Sequence, residues 1–329
     1  DEYGNLVEKT GPTGSKTVIS YSEEYNSAYP TQIRKTSTDG SVRNADGDAI
    51  SDVVKRRGYD FSTGKKTWEI DPGGDLTEYE YDELGRLVKI IYPDDEDQAG
   101  IAGSNIQNLT PVDYNSRGNN PAKIQVYNDQ KGYTTVVNVS EADDFNVNSE
   151  FNLGDERVVN KSRYHYDGLD RWIKLDQHLL KDNQEEVITT EFRYNNRGQR
   201  YLTIDGEGKV TAKQFGPLGR EEKIYYPGDD VNPDSITPGA LEEGLLSSYP
   251  KTEINYNDTK NLRTIIDPEG NKTEEQKNWN GKVIRVSKFN NGEEYSSHIG
   301  YDSAGNKIYQ IDGEGRRTDY YYDDLNRKI

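Results

Sequence analysis

The sequence contains no cysteine, no methionine and only three histidines. Without cysteine there are no disulfides, no thiolate metal sites and no thiol nucleophile. The histidines, His165, His178 and His298, stand far apart with no pair at helix-face spacing. Neither a zinc site nor a histidine-activated nucleophile is written here. His165 falls on the charged side of an alternating stretch, where the sequence predicts a solvated residue. Phosphate loops, dinucleotide glycine fingerprints and GxSxG elbows are missing as well. The expectation is a non-enzyme with no catalytic residue and no organic cofactor.

Apolar residues are scarce too, at 31% of 329 residues. No apolar run approaches the ~20 residues that a membrane span requires, and no signal peptide opens the chain. With 41 Lys+Arg against 59 Asp+Glu the net charge is -18. That balance argues against a nucleic-acid partner, whose affinity comes from cations that neutralise phosphates, and against an anionic membrane surface. Carboxylates are so many that some pair falls at glycosidase separation by chance, and a pair outside a cleft predicts nothing. Few apolar residues and much charge lean toward disorder. The 25 tyrosines, set in register, point the other way.

What the sequence does contain is one phrase written many times. It reads "YDELGRLVKI" from Tyr81, "YDGLDRWIKL" from Tyr166, "YNNRGQRYLT" from Tyr194, "FGPLGREEKI" from Phe215, and again from Tyr301 and Tyr322. Worn copies start at Tyr59, Tyr114, Tyr256 and Trp279. Successive starts are 22 residues apart from Tyr59 to Tyr81, 21 from Tyr194 to Phe215 and 22 from Trp279 to Tyr301. A fixed period of this size marks a repeat architecture. The opening "DEYGNLVEKT" is the phrase without its leading Tyr, and the last residue, Ile329, follows another turn. Both ends are therefore expected to cut through the repeat, making 1–329 a single array excised from something longer.

Before each Tyr-Asp the residues alternate, as in Tyr79 and Tyr81 against Glu78 and Glu80. Period two predicts a strand with aromatics on one face and charges on the other. The Asp or Asn can bond the backbone two residues on, and the Gly that follows takes a positive φ. A second turn signal closes each period, as in "IDPGG" from Ile70 and "IDGEG" from Ile204 and Ile311. Each period thus supplies two strands, and the predicted fold class is all-β: repetitive antiparallel hairpins forming one long coiled sheet of about 16 or more strands. Three stretches interrupt the period, about 93–111, 139–156 and 227–250, and read as insertion loops that cover an edge or contact a partner. A short helix is expected only at "PGALEEGLL" from Pro238. The recurring aromatics read first as packing, since a stripe that returns every period is what a structural role requires.

These phrases, above all "YDELGRLVKIIYPD", "YHYDGLDRWIKL" and "IGYDSAGNKIYQIDGEGRRTDYYYDDLNR", resemble the YD-repeat, or Rhs-repeat, family. The resemblance implies a sheet that spirals into a hollow shell, as in bacterial polymorphic and insecticidal toxins, where the shell encloses a C-terminal effector, and in related cell-surface adhesion proteins. It implies a secreted or surface-exposed bacterial protein, with the rest of the parent chain and an enclosed polypeptide as partners. Family toxins close with a core that cuts itself after an aspartate-proline motif. Asp71-Pro72 and Asp267-Pro268 are followed by "GGD" and "EGN" inside ordinary repeats, so self-cleavage is carried over to neither.

Two functions follow. The first is a structural wall segment of a larger secreted protein that encloses or presents a toxin or other polypeptide. The alternative is an adhesion module whose loops and outer face recognise a glycan or cell-surface receptor. The third insertion offers only Tyr249 and a few leucines as apolar surface, which favours the wall. One stretch carries a metal reading: in "NADGDAISDVV", Asn44, Asp46, Asp48 and Asp52 fall at relative positions 1, 3, 5 and 9, resembling the calcium loop of FG-GAP and related repeats. Ala49 stands where a second glycine is usual, and the plainer reading is a turn leading into the strand at Asp52.

Overall fold

The computed structural model describes residues 1–11, 14–36, 52–93, 120–142, 145, 151–290, 292–323 and 326–329. These residues contain 22 strands, the α-helix Pro238–Glu242 and three single-turn 3-10 segments. The fold is all-β, an array of antiparallel hairpins, which is the class that the repeat predicts. The chain divides into two compact units, one of residues 1–164, 177–187 and 322–329, the other of residues 165–176 and 188–321.

In the first unit each strand pairs with the next: Glu8–Thr10, Lys16–Tyr21, Pro30–Thr36, Asp52–Tyr59, Lys66–Ile70, Leu76–Tyr81, Leu87–Ile91, Ala122–Asn128 and Tyr133–Val139. The interior is built from cross-strand apolar pairs. Ile70 lies opposite Leu76, and Ile124 opposite Val137. All four are at most 2% exposed, and burying a side chain of this kind stabilises by about 1.5–3 kcal/mol. The second insertion adds to this core: Ala142 and Phe145 are buried with Val158 against Ala122, Ile124 and Val139. Lys89, itself buried, donates its Nζ to the Ala142 carbonyl at 2.6 Å and ties the insertion down.

In the second unit the same neighbour-to-neighbour pairing runs from residues 188–194 through Arg200–Ile204, Val210–Phe215, Glu221–Gly228, Lys251–Asn257, Leu262–Ile266, Lys272–Lys277, Val283–Asn290, Glu293–Tyr301 and Lys307–Ile311 to Arg317–Asp319. The third insertion carries more apolar anchorage than its sequence suggests. Ile236, Leu241 and Leu246 are buried against Tyr201, Leu202, Val210, Ala212 and Tyr225 of the sheet. The expected helix is present as Pro238–Glu242, with Pro at its first turn and Thr237 as N-cap, Oγ1 accepting from the Ala240 N–H at 3.1 Å. Arg193 fixes the loop ahead of it, donating to the Pro233 carbonyl and to Asp234.

Candidate functional site

The recurring chemistry of this chain lies where one hairpin meets the next. Its first part is the turn. Asp82 Oδ1 accepts from the N–H of Leu84 and of Arg86, at 3.0 and 2.8 Å, while the Gly85 N–H donates to the Asp82 carbonyl. Gly85 has φ 74°, a left-handed conformation that a side chain resists. The same carboxylate or amide wrap recurs at Asp167, Asn195, Asp205, Asn278 and Asp312. Where the turn ends in arginine, its Nε returns to the other carboxylate oxygen, at 2.8 Å in both Asp167–Arg171 and Asp312–Arg316. These bonds, the arginine side chain foremost, hold both carboxyls below the ordinary aspartate value.

The second part is a bulge beside the turn. Tyr81 pairs with Leu87 and Glu80 with Lys89, so Val88 is the extra residue. Tyr201 is likewise extra beside Tyr194, and Ile308 beside Tyr301. Two residues that oppose one lean to the same side of the sheet, which is how the neighbours Tyr201 and Leu202 are both buried.

The third part crosses to the preceding hairpin. The repeat tyrosine donates its hydroxyl to a carbonyl just after the previous turn: Tyr81 to Lys66 at 2.9 Å, Tyr194 to Trp172 at 2.7 Å, Tyr256 to Glu221 at 3.1 Å and Tyr301 to Val283 at 2.9 Å. Tyr59 does the same to Pro30 at 3.2 Å. The cation that closes the previous turn covers the ring. Arg171 lies 4.6 Å from the Tyr194 centroid, Arg220 4.3 Å from Tyr256 and Lys282 4.9 Å from Tyr301. Arg220 also pairs with Asp258 of the following turn. Tyrosine, aspartate, glycine and arginine of the repeat thus form one interlocking junction.

Two members of this series are missing from the sequence reading. Tyr127 donates to the Leu87 carbonyl at 2.9 Å under Arg86, and Tyr21 to Leu6 at 3.2 Å. The signal for Tyr127 is the Asn that follows it and Gly132 beyond. Other expected positions fall elsewhere. Tyr166 is half-buried ahead of the Asp167 turn, and Tyr322 forms an isolated bridge to Lys328 beside the Asp323–Arg327 wrap. Phe215 pairs with Glu221 at a bulge and has no hydroxyl to offer. Trp279 sits at the tip of the Asn278–Lys282 turn with its residue 93% exposed, and Lys277 takes the bulge position. Tyr114 lies outside the described residues, as does the first insertion from Asp94 onward.

His165 is not a solvated residue. Its Nε2 is 2.8 Å from Asp176 Oδ2, and Asp176 also receives the Thr189 hydroxyl at 2.7 Å and Lys174 at 3.1 Å. The alternation that sets His165 on the charged face cannot show that a buried acid waits across the sheet. Burial alone would raise the Asp176 carboxyl, but the bonds from Thr189, Lys174 and His165 outweigh it and bring it to about 2. His178 is buried with Nδ1 2.5 Å from Glu185, and His298 is exposed on a strand. Asp71 and Asp267, which precede prolines, wrap ordinary turns. Asn44, Asp46 and Asp48 lie outside the described residues. Asp52 opens the strand Asp52–Tyr59 with its carboxylate 3.6 Å from Arg34. Among the described residues no group of His, Asp and Glu is arranged to hold a metal ion.

Concave surface accompanies the junctions. In the second unit a cleft of about 720 Å³ lies between the turns at Asn195 and Gly216 and the helix Pro238–Glu242. Tyr201, Gln214, Phe215, Glu222 and Leu241 are among its walls.

The RHS Repeat family model matches residues 64–97, the stretch that holds Tyr81, Asp82, Gly85 and Arg86. No curated protein matches the sequence. Among solved structures, TcdB2-TccC3 without its hypervariable C-terminal region is similar over 98% of this chain and 17% of its own, at 12% identity and a TM-score of 0.50. Intact TcdB2-TccC3 is similar over 97% and 18%, at 12% identity and 0.47. The Tc holotoxin pore of Photorhabdus luminescens is similar over 97% and 20%, at 12% identity and 0.44. This chain spans about a fifth or less of each solved chain, and the likeness to TcdB2-TccC3 without its hypervariable C-terminal region is one of fold. An RHS repeat thus lies at residues 64–97, and the same turn, bulge and tyrosine bond recur from hairpin to hairpin elsewhere among the described residues.

Proposed function

We propose that this chain is a structural wall segment of a larger, secreted bacterial YD/Rhs-repeat protein whose shell encloses or presents a toxin or other polypeptide. The observation that carries this reading is the distribution of the recurring groups. Tyrosine hydroxyls, turn carboxylates and turn cations are directed at the adjacent hairpin, junction after junction, and do not converge on a reacting centre. A wall needs cohesion everywhere, whereas an active centre needs it in one place. The net charge of -18 keeps such a sheet soluble without a thick core.

The test uses the whole parent protein. Limited proteolysis is expected to leave the polypeptide that the shell encloses intact until the repeat tyrosines are replaced by leucine, after which it is cut. If that polypeptide is digested at the rate of an unfolded chain in the unaltered parent, the wall reading fails.

A further inference from the structure

In the first unit the cations of the sheet gather on one face. Cross-strand register sets Lys9 opposite Thr17, Thr17 opposite Lys35, Lys35 opposite Val53 and Arg57 opposite Glu69. Alternation along Asp52–Tyr59 puts Val53, Lys55 and Arg57 on the same side. Lys66 joins them, its Nζ 3.2 Å from Glu69 and 3.1 Å from the Tyr79 hydroxyl. From Glu8–Thr10 to Leu76–Tyr81 this face therefore holds five cations, Lys9, Lys35, Lys55, Arg57 and Lys66, against one acid, Glu69. The opposite face of the same strands carries Lys16, Arg34 and Arg56 against Glu8, Asp52, Glu78 and Glu80. A chain of net charge -18 thus sets a surplus of positive charge on one side of a sheet whose other side is slightly negative.

The basic face is also the open one. Val54, Ile70 and Leu76 are buried, and register places all three on the opposite side. Lys9 and Lys35 are exposed and have no ion pair among the described residues, while Ile19, Ile33 and Val53 on their face are half-buried. Glu69 receives the Nζ of Lys55 and the Nε of Arg57, both at 2.8 Å, as well as Lys66. One carboxylate among three cations leaves this cluster short of negative charge. Burial alone would raise the Glu69 carboxyl, yet the bonds from Lys55, Arg57 and Lys66 bring it to about 2. Those three cations keep 33%, 27% and 29% of their side-chain surface in solvent, within reach of a further acid.

The chemistry of the face selects a polypeptide over a nucleic acid. Bases need an uncovered aromatic ring to stack on, and here Tyr59 is stacked on Tyr29, Lys66 lies 4.3 Å from the Tyr79 centroid and Lys65 5.7 Å from that of Tyr81. What lies open beside the lysines is aliphatic, which suits peptide side chains. Lys55 and Arg57 stand two residues apart on one strand, about 7 Å, which is also the spacing of alternate residues in an extended peptide. Carboxylates at every second position would meet them in step.

We propose that this face binds an acidic, extended polypeptide segment, whether or not the chain is a wall. The 329-residue chain is titrated by fluorescence anisotropy against a labelled dodecapeptide of alternating glutamate and valine. Glutamine–valine and lysine–valine counterparts and a dodecathymidylate strand are run beside it. The glutamate peptide should bind saturably and weaken at least ~5-fold as sodium chloride rises from ~0.05 to ~0.3 M. Lys9→Gln with Lys35→Gln should weaken it about 5-fold at an unchanged melting temperature, since neither lysine is ion-paired. Lys16→Gln with Arg34→Gln removes the same charge from the opposite face and should leave the affinity within ~1.5-fold. Absence of saturable binding overturns the proposal. So does a Lys9 and Lys35 variant that binds no more weakly than the opposite-face variant, or binding of any of the other three probes as tight as that of the glutamate peptide.

Discussion

Replacing Tyr194, Tyr256 and Tyr301 with phenylalanine removes three oxygen atoms from the second unit and leaves every ring and its covering cation in place. Each hydroxyl donates to a backbone carbonyl, at 2.7, 3.1 and 2.9 Å. A neutral hydrogen bond of this kind contributes about 0.5–1.5 kcal/mol net. Each carbonyl belongs to the first residue of a strand, and about 1 kcal/mol for each bond lies at the centre of that range. Four strands separate each of these tyrosines from the next, a distance of roughly 19 Å, and effects at that separation add. The triple variant should therefore lose about 3 kcal/mol. With a urea dependence of about 2–3 kcal/mol/M, the unfolding midpoint should fall by about 1–1.5 M at unchanged slope. Single variants should each move it by about a third of that. A triple variant within ~0.5 kcal/mol of the parent would show that water serves these carbonyls equally well, and the junction would then rest on packing alone.

Asp176, at about 2 in the folded state, lies below its ordinary value of 3.8, so the stabilisation it brings is complete above pH ~4 and is lost as the pH falls toward 2. Unfolding free energies of Asp176→Asn and parent should differ by on the order of 2 kcal/mol at pH 6 and converge near pH 2; a constant gap would contradict the assignment. Leu241→Ala should cost about 2–4 kcal/mol by opening a cavity under the third insertion, and protease should then cut between residues 229 and 249 faster than anywhere in the sheet. Gly85→Ala must place a side chain at φ 74° and should destabilise by about 1 kcal/mol in urea titration, whereas alanine at the neighbouring Leu84, 75% exposed, should be near neutral.

The parts of this fold that repeat in sequence were legible there, because alternation and the Asp-to-Gly turn act between residues close along the chain. Tyr81, Asp82 and Gly85 announce their hairpin by order and spacing alone. The junction itself was not legible in the same way. That Arg220 covers Tyr256 depends on a register set across two strands, and the bulge that places Glu221 opposite Phe215 adds one residue that spacing alone does not locate. The same cause misplaces Trp279, whose aromatic character imitates the repeat position while the turn around Asn278 puts it at the tip. His165 reads as solvated because its partner, Asp176, is eleven residues away across a hairpin. The third insertion looked poor in anchors, since Ile236, Leu241 and Leu246 form a cluster only once the loop has folded back on the sheet.

Each tyrosine junction reaches one hairpin back, and its groups come from two neighbouring periods, the carbonyl and cation from one and the tyrosine from the next. Copying one period of 21 or 22 residues in frame therefore copies donor, carbonyl and cation together. A new hairpin arrives with its bonds to both neighbours already specified, and the flanking pairs need not change. Length in such an array is a heritable setting that recombination can raise or lower one hairpin at a time, whereas in a protein with one shared core every added element must be fitted to all the others.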